Sequence, residues 1–293
     1  MVYHDRKSIT VAYGKACLIM KKRIAFYGKG GIGKSTVAAN TAAALALSGL
    51  RVLLIGCDPK ADSTRTLMGK RIPSVLDILR KNPDASTNEY LHKGFAGVTC
   101  VESGGPAAGI GCAGRGIVTA LEELTYHQVF DMPWDIILYD VLGDVVCGGF
   151  SVPMRGGFVD EVYLVTTSEY MSLYAANNIL RAVEHYAQSS SVRLGGLIAN
   201  GRSGYDSTLV HTFAQQTQTC VVGEIAHDPA IARAEIMAAT VIQHSPQSLA
   251  AQNFKVLAQM LERENTQKKF HSLSEAEMEL FCRSSIEEMM QCP

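Results

Sequence analysis

Eight residues, Gly28-Lys-Gly-Gly-Ile-Gly-Lys-Ser35, constrain the fold more than any other part of the 293-residue chain. They follow a compact apolar run, Ile24 to Tyr27, and precede a stretch free of Gly and Pro from Lys34 to Leu47. The spacing G-x-x-x-x-G-K-S between a strand and a helix is what a phosphate-binding loop requires. Gly28, Gly30, Gly31 and Gly33 let backbone N–H groups converge on phosphate, and the helix N-terminus adds its partial positive charge. Lys34 then reaches the terminal phosphates, Ser35 offers an oxygen to magnesium, and Thr36 completes the nucleotide-binding set in the first helical turn. A glycine loop that only makes a tight turn does not call for Lys34 and Ser35.

The rest of the chain repeats a strand and then a helix. Strands are expected at 23–27, 51–55, 97–101, 135–139, 160–166, 193–199 and 220–224. Helices are expected at 34–47, 74–80, 115–124, 172–187, 207–215 and 248–263, with Ser172 starting the fourth. Short apolar strands without clean alternation suit a mostly parallel sheet buried on both faces. The expected fold class is therefore α/β: a doubly wound sheet flanked by helices, carrying a P-loop. Residues 1–20 read as a leader, 21–264 as the P-loop domain, and 265–293 as a C-terminal appendage. In the appendage, Ser274 and Glu277 have capping-box spacing, and Met278, Phe281, Cys282 and Met289 fall near one helical face.

Composition narrows the partners. A formal net charge of -1 gives no basic excess for tracking nucleic acid. No apolar stretch is long enough to span a bilayer and no secretory signal is evident, so the expectation is a cytoplasmic protein without membrane contact. In that compartment the eight cysteines serve packing, metal binding or redox chemistry in preference to disulfides.

Four acidic residues extend the nucleotide site. Asp140 ends the apolar run Asp135-Ile-Ile-Leu-Tyr-Asp140, where the carboxyl end of a strand faces the ligand crevice, and is placed to hold magnesium. Asp58 and Asp62, in Asp58-Pro-Lys-Ala-Asp62-Ser-Thr, follow the second strand and are candidates for orienting water or magnesium near the γ-phosphate. Asp144 is a candidate general base for the attacking water. Each of the last three also fits a plain capping role.

Cys112 and Cys147 sit in glycine-rich segments, Gly109-Ile-Gly-Cys112-Ala-Gly-Arg-Gly116 and Gly143-Asp-Val-Val-Cys147-Gly-Gly149. Such surroundings expose backbone N–H groups to sulfur. Two thiolates are too few for a [4Fe-4S] centre, but a two-fold axis doubles them. The residues alone fit two separate structural cysteines, or a zinc site completed by histidines, equally well.

Family likeness goes further. The GKGGxGKS form, with its early Lys29, resembles the deviant Walker A of dimeric ATPases that include ParA, MinD and the nitrogenase iron protein. Cys100-Val-Glu-Ser-Gly-Gly-Pro-Ala-Ala-Gly-Ile-Gly-Cys112-Ala-Gly-Arg-Gly-Ile is similar to the cluster loop of the last of these. Asp140 to Phe150, Gly56 to Arg65, Tyr174 to Asn178 and Ser191 to Ile198 extend the resemblance over roughly residues 21 to 262. It implies a homodimer with one [4Fe-4S] cluster shared through Cys112 and Cys147, and one MgATP per chain. It also implies Lys29 reaching the partner's nucleotide, Asn200 at the adenine, and Arg115, a site of ADP-ribosylation in some members, with Arg155 at the docking face. The implied activity is ATP-gated, one-electron donation to a separate catalytic protein, with a ferredoxin or flavodoxin as upstream donor. Cys57, Cys100 and Cys220 are not implied as ligands.

Three stretches depart from the dinitrogen-reducing pattern: Lys81 to Phe95, Gly156-Gly-Phe-Val-Asp160 after Arg155, and Gly201-Arg-Ser-Gly204. An intact ATP site beside an altered docking face points first to the reductase of a nitrogenase-like enzyme with another heteromeric catalytic component, such as a methylthio-alkane reductase or a nickel-tetrapyrrole cyclase. The alternative is an authentic nitrogenase iron protein. A dimeric positioning ATPase without redox chemistry, and a carrier that delivers a cluster, are the other classes; neither positioning nor the P-loop explains the glycine-flanked cysteines.

Overall fold

The computed structural model describes residues 22–106, 113–143, 148–149, 151–201, 207–263, 269–281 and 283. Within them the strands are β1 (Lys22–Tyr27), β2 (Val52–Gly56), β3 (His92–Lys93), β4 (Thr99–Glu102), β5 (Ile136–Asp140), β6 (Glu161–Thr166), β7 (Arg193–Asn200) and β8 (Val221–Ile225). They form one sheet in the order β3-β4-β2-β5-β1-β6-β7-β8. Every pair is parallel except β3 with β4. The seven parallel strands are those expected from the sequence. The edge strand β3 was not expected, because two residues carry no readable period.

Alternation along the strands builds two cores. Ala25, Tyr27, Leu53, Ile55, Ile137 and Tyr139 face one layer, and Ile24, Phe26, Val52, Leu54, Ile136 and Leu138 the other. Helices Val75–Lys81, Ala113–Tyr126, Tyr170–Ala187 and Thr208–Gln216 cover the first layer; Lys34–Leu47 and Leu249–Glu262 cover the second. Each fully buried Leu, Ile or Phe adds about 1.5–3 kcal/mol relative to an exposed one, so both faces contribute to stability. The Lys34–Leu47 helix is apolar nearly all round because it lies between the sheet and the Leu249–Glu262 helix. Its buried Asn40 is satisfied by donating to Thr36 O at 2.9 Å and accepting from Val241 N at 2.8 Å.

Two corrections concern helices. The helix expected to start at Ser172 runs Tyr170–Ala187 with Glu169 at its N-cap. The Ser172 hydroxyl lies inside the first turn and accepts from Thr167 N at 3.0 Å, so it ties the helix back to the end of β6. The sequence reading also omitted Pro229–Ile236, although Asp228 caps it by accepting from Ala230 N and Pro229 opens it. Asp-Pro ahead of an apolar run is a readable helix start.

In the tail, 275–281 is helical. Its capping box is formed, with Ser274 N donating to Glu277 Oε2 and Glu277 N to Ser274 Oγ. Leu273, Met278 and Phe281 are buried in the same core as the Tyr170–Ala187 helix. Asn177, 2% exposed, grips the Leu273 peptide from both sides, donating to its carbonyl at 2.8 Å and accepting from its N–H at 2.7 Å. Residues 1–21, Cys282 and Met289 lie outside the described residues. Among those described, no helix is long and apolar enough to cross a membrane.

Replacing Asn177 by Ala leaves the buried Leu273 N–H without its acceptor, at a cost of about 1–3 kcal/mol, while the Leu273 carbonyl keeps the Arg181 guanidinium at 2.9 Å. Hydrogen exchange is expected to show lost protection across 272–281 with the sheet unchanged. Unchanged protection there would show that apolar packing alone holds the tail.

Candidate functional site

The first strand lies between β5 and β6, so the chain order reverses beside it, and crevices at such a point, outside the carboxyl ends of the strands, bind ligands. Gly28 leaves β1 at that end. Gly33 caps the following helix in the left-handed region, φ +91°. A Cβ on it would lie 2.5 Å from Asn200 Nδ2, so only glycine fits. The helix has no side-chain cap and no acidic residue in its first turn, which leaves its unpaired N–H groups to an anion. The cleft beside it has a volume of about 550 Å³, within the range of small-ligand sites. Gly30, Gly31, Gly33, Lys34, Ser35, Thr36, Asp58, Asp62 and Asn200 all line it.

Lys34 Nζ meets Asp140 Oδ1 at 3.0 Å, with side-chain exposures of 6% and 0%. The other oxygen, Asp140 Oδ2, is buried without a hydrogen-bond partner among the described residues. Asp140 lies behind the cleft's lining, against Lys34, and an unsatisfied carboxylate oxygen at the phosphate loop suits a cation or its bound water. Asp58 accepts from Lys60 N at 2.8 Å, closing an Asx-type turn. Asn200 donates to Ile32 O at 2.6 Å, bracing the loop from β7. A Cβ on Gly143 would collide with Gly28 O at 1.5 Å, so the segment after Asp140 lies directly against the start of the phosphate loop. Lys29 is half-buried and outside the lining of this cleft.

Next to Asp140 lies an acidic residue the sequence reading missed. Glu102 ends β4, is 1% exposed, and stands in the same register row as Gly56 and Asp140. Its Oε1 accepts from Thr64 N at 2.6 Å and Thr64 Oγ1 at 2.7 Å, while Oε2 has no partner among the described residues. Burial pushes its carboxyl up to about 8, against the opposing pull of the Thr64 hydrogen bonds. Arg65, His227, Asp228 and Glu235 are further lining residues not singled out from sequence. Arg65 donates to Glu235 O at 3.0 Å and Thr36 Oγ1 to the Glu235 carboxylate, so the cleft is bridged from two sides. The helix cap at Asp228 was the signal that pointed there.

Cys112, Asp144 and Cys147 lie outside the described residues. Their described neighbours meet: a Cβ on Gly149 would lie 2.2 Å from Gly114 Cα. The second residues after Cys147 and after Cys112 are thus in backbone contact, with no side chain between them. That bare backbone suits a sulfur-rich group that accepts N–H hydrogen bonds. Arg115 and Arg155 are exposed. Cys57 and Cys100 are fully buried, and burial pushes both thiols up, Cys100 to about 12. Ligation requires thiolate, so these two pack as apolar groups; Cys220 is half-buried.

A family model described as "4Fe-4S iron sulfur cluster binding proteins, NifH/frxC family" matches residues 22–287. The chain is 51% identical over 239 residues to nitrogenase iron protein 2 of Methanothermobacter thermautotrophicus, covering 81% of this chain and 88% of that protein. It is 46% identical over 243 residues to nitrogenase iron protein 2 of Paenibacillus durus, covering 82% and 83%. Among solved structures, the septum site-determining protein MinD of Pyrococcus horikoshii with Mg-ADP superimposes with TM-score 0.68 at 22% identity, over 83% of this chain and 97% of that one. A ParA family ATPase of Chlorobium tepidum gives 0.64 at 20%, over 81% and 99%. The last two likenesses establish the fold.

The Glu102 carboxyl gives this site a pH signature. Its folded value lies above the ordinary one, so its contribution to stability is present below the unfolded value and is lost as pH rises through about 8. The nucleotide-free protein is expected to lose stability, on the order of a few kcal/mol, between about pH 5 and 8. Glu102→Gln should flatten that slope in urea titrations. Equal slopes in the two proteins would show that Glu102 ionises normally.

Proposed function

Because the chain belongs to the NifH/frxC family of 4Fe-4S iron-sulfur cluster binding proteins, we propose that it is the ATP-dependent electron donor of a nitrogenase system, passing low-potential electrons to a separate catalytic protein. The observation that carries the ATP half is the buried Lys34–Asp140 pair with its unsatisfied Asp140 oxygen, at the mouth of an uncapped glycine-loop helix. The phosphate-loop N–H groups and Lys34 bind the nucleotide's phosphates. Ser35 and Asp140 hold magnesium, and Thr36 and Asn200 complete the nucleotide contacts. Asp58, Asp62 and Asp144 order the attacking water, and Lys29 reaches the nucleotide of a second subunit.

Cys112 and Cys147 hold the cluster together with the same pair from the partner subunit. When bound, the cluster supplies a one-electron, low-potential redox couple. The backbone contact at Gly114 and Gly149 and the seven-residue separation of Asp140 from Cys147 support coupling between the magnesium end and the cluster end of one segment. Arg115 and Arg155 are exposed for docking, and a ferredoxin or flavodoxin recharges the protein.

The relatives favour the nitrogenase iron protein proper over a reductase serving a different catalytic protein, reversing the order drawn from the altered stretches. Several of those substitutions fall on exposed positions, such as 81–84 and 156–157, where surface loops tolerate change without a change of partner.

Anaerobically reconstituted protein should show an EPR signal on dithionite reduction. Cys112→Ser or Cys147→Ser should each lose the cluster, and Lys34→Gln should lose MgATP binding by at least about 100-fold while keeping iron. The loaded protein is expected to support dinitrogen reduction by a dinitrogenase component. Failure there with cluster and ATPase intact would move the assignment to another catalytic partner; no iron after reconstitution would overturn the donor reading itself.

A further inference from the structure

The loop that carries Asp58 and Asp62 into the cleft is fastened at its far end to a different part of the molecule. Thr64, two residues beyond Asp62, donates both its N–H and its hydroxyl to the single oxygen Glu102 Oε1, at 2.6 and 2.7 Å. Glu102 is the last residue of β4, and Ser103 N continues the ladder by donating to Gly56 O at 2.8 Å. A second contact lies five residues before Thr64: a Cβ on Gly105 would stand 2.5 Å from Pro59 Cβ. The same short segment touches the helix that begins directly after Cys112, since a Cβ on Gly116 would lie 2.5 Å from Gly104 O.

Stability alone is a poor reason for Glu102. Its second oxygen is buried without a partner among the described residues, and a buried unsatisfied acceptor costs about 1–3 kcal/mol. The space that oxygen fills is left by Gly56, where a Cβ would come within 2.1 Å of it. The arrangement holds one loop at two points along 102–105, and 102–105 in turn rests on the Ala113–Tyr126 helix.

We propose that Glu102 is a positioning residue that couples the 58–64 loop of the nucleotide cleft to the start of the Ala113–Tyr126 helix, next to Cys112. A displacement of the loop on nucleotide binding must either carry 102–105 with it or break the two Thr64 bonds. This route runs through the first cysteine segment and is separate from the Asp140-to-Cys147 segment. It rests on the ATP-binding reading above.

Hydrogen exchange with and without MgATP, on cluster-free and on reconstituted protein, tests it. In the native protein, nucleotide should change exchange both at 58–66 and at 113–126. Glu102→Gln, which keeps the acceptor oxygen, should respond in the same way. Glu102→Ala should bind MgATP within about threefold of native and respond at 58–66, but its response at 113–126 should fall at least about fivefold. Thr64→Val, which removes only the hydroxyl, should lose part of that response and carries the test if Glu102→Ala does not fold. A full response at 113–126 in Glu102→Ala, or in Thr64→Val, overturns the proposal. So does native protein that binds MgATP without responding there. Native protein that fails to bind MgATP overturns the ATP reading, and the proposal with it.

Discussion

A buried ion pair, Lys34 with Asp140, is the contact on which the arrangement of the site depends. Lys34 opens the first helix and Asp140 closes β5, and the pairing of β1 with β5 in register, Phe26 opposite Asp140, sets their separation. Taking both charges out of water is expensive, and removing either partner from such a pair typically costs about 3–5 kcal/mol. The pair therefore fixes the phosphate loop against the strand that leads on toward Cys147. It also leaves Asp140 Oδ2 without a hydrogen-bond partner among the described residues, which is why Asp140 is proposed as a cation ligand and not only as a structural partner of Lys34.

From this pair the site extends along one register row. Asp140, Gly56 and Glu102 stand side by side on β5, β2 and β4, and the absent side chain at Gly56 gives Glu102 its room. Three adjacent strand ends thereby bring together the magnesium candidate, the start of the Asp58 loop and the chain running toward Cys112. A parallel sheet places all its carboxyl ends on one side, so a small displacement at any one is felt by its neighbours.

Much of this was legible in the sequence. The glycine loop, the apolar run ending at Asp140 and the seven parallel strands are local patterns with fixed spacing, and they fall where periodicity puts them. Glu102 was not legible: it ends an ordinary short strand, and only the register with Gly56 and Asp140 gives it meaning. Glu235, on the Pro229–Ile236 helix, and His227, in the loop before it, were missed for the same reason, since they reach the cleft from far along the chain. Four-residue helices such as Arg65–Met68 and Val152–Arg155 are too short to show a period. Ser172 looked like a cap and instead bonds Thr167, because a hydroxyl inside a first turn can serve a neighbouring strand end. The relatives favour the alternative ranked second from the sequence, where exposed loop differences were weighed as docking differences.

MinD and ParA ATPases share the fold at about 20% identity, which shows that the sheet and phosphate loop do not by themselves specify redox chemistry. What we propose separates this chain from them is one cluster held jointly by two subunits. Native mass spectrometry of the anaerobically reconstituted protein tests that most directly. The account predicts a species of two chains carrying four irons and four sulfides, with no cluster on a single chain. A complete cluster on the monomer, or a dimer that holds no iron, would contradict it.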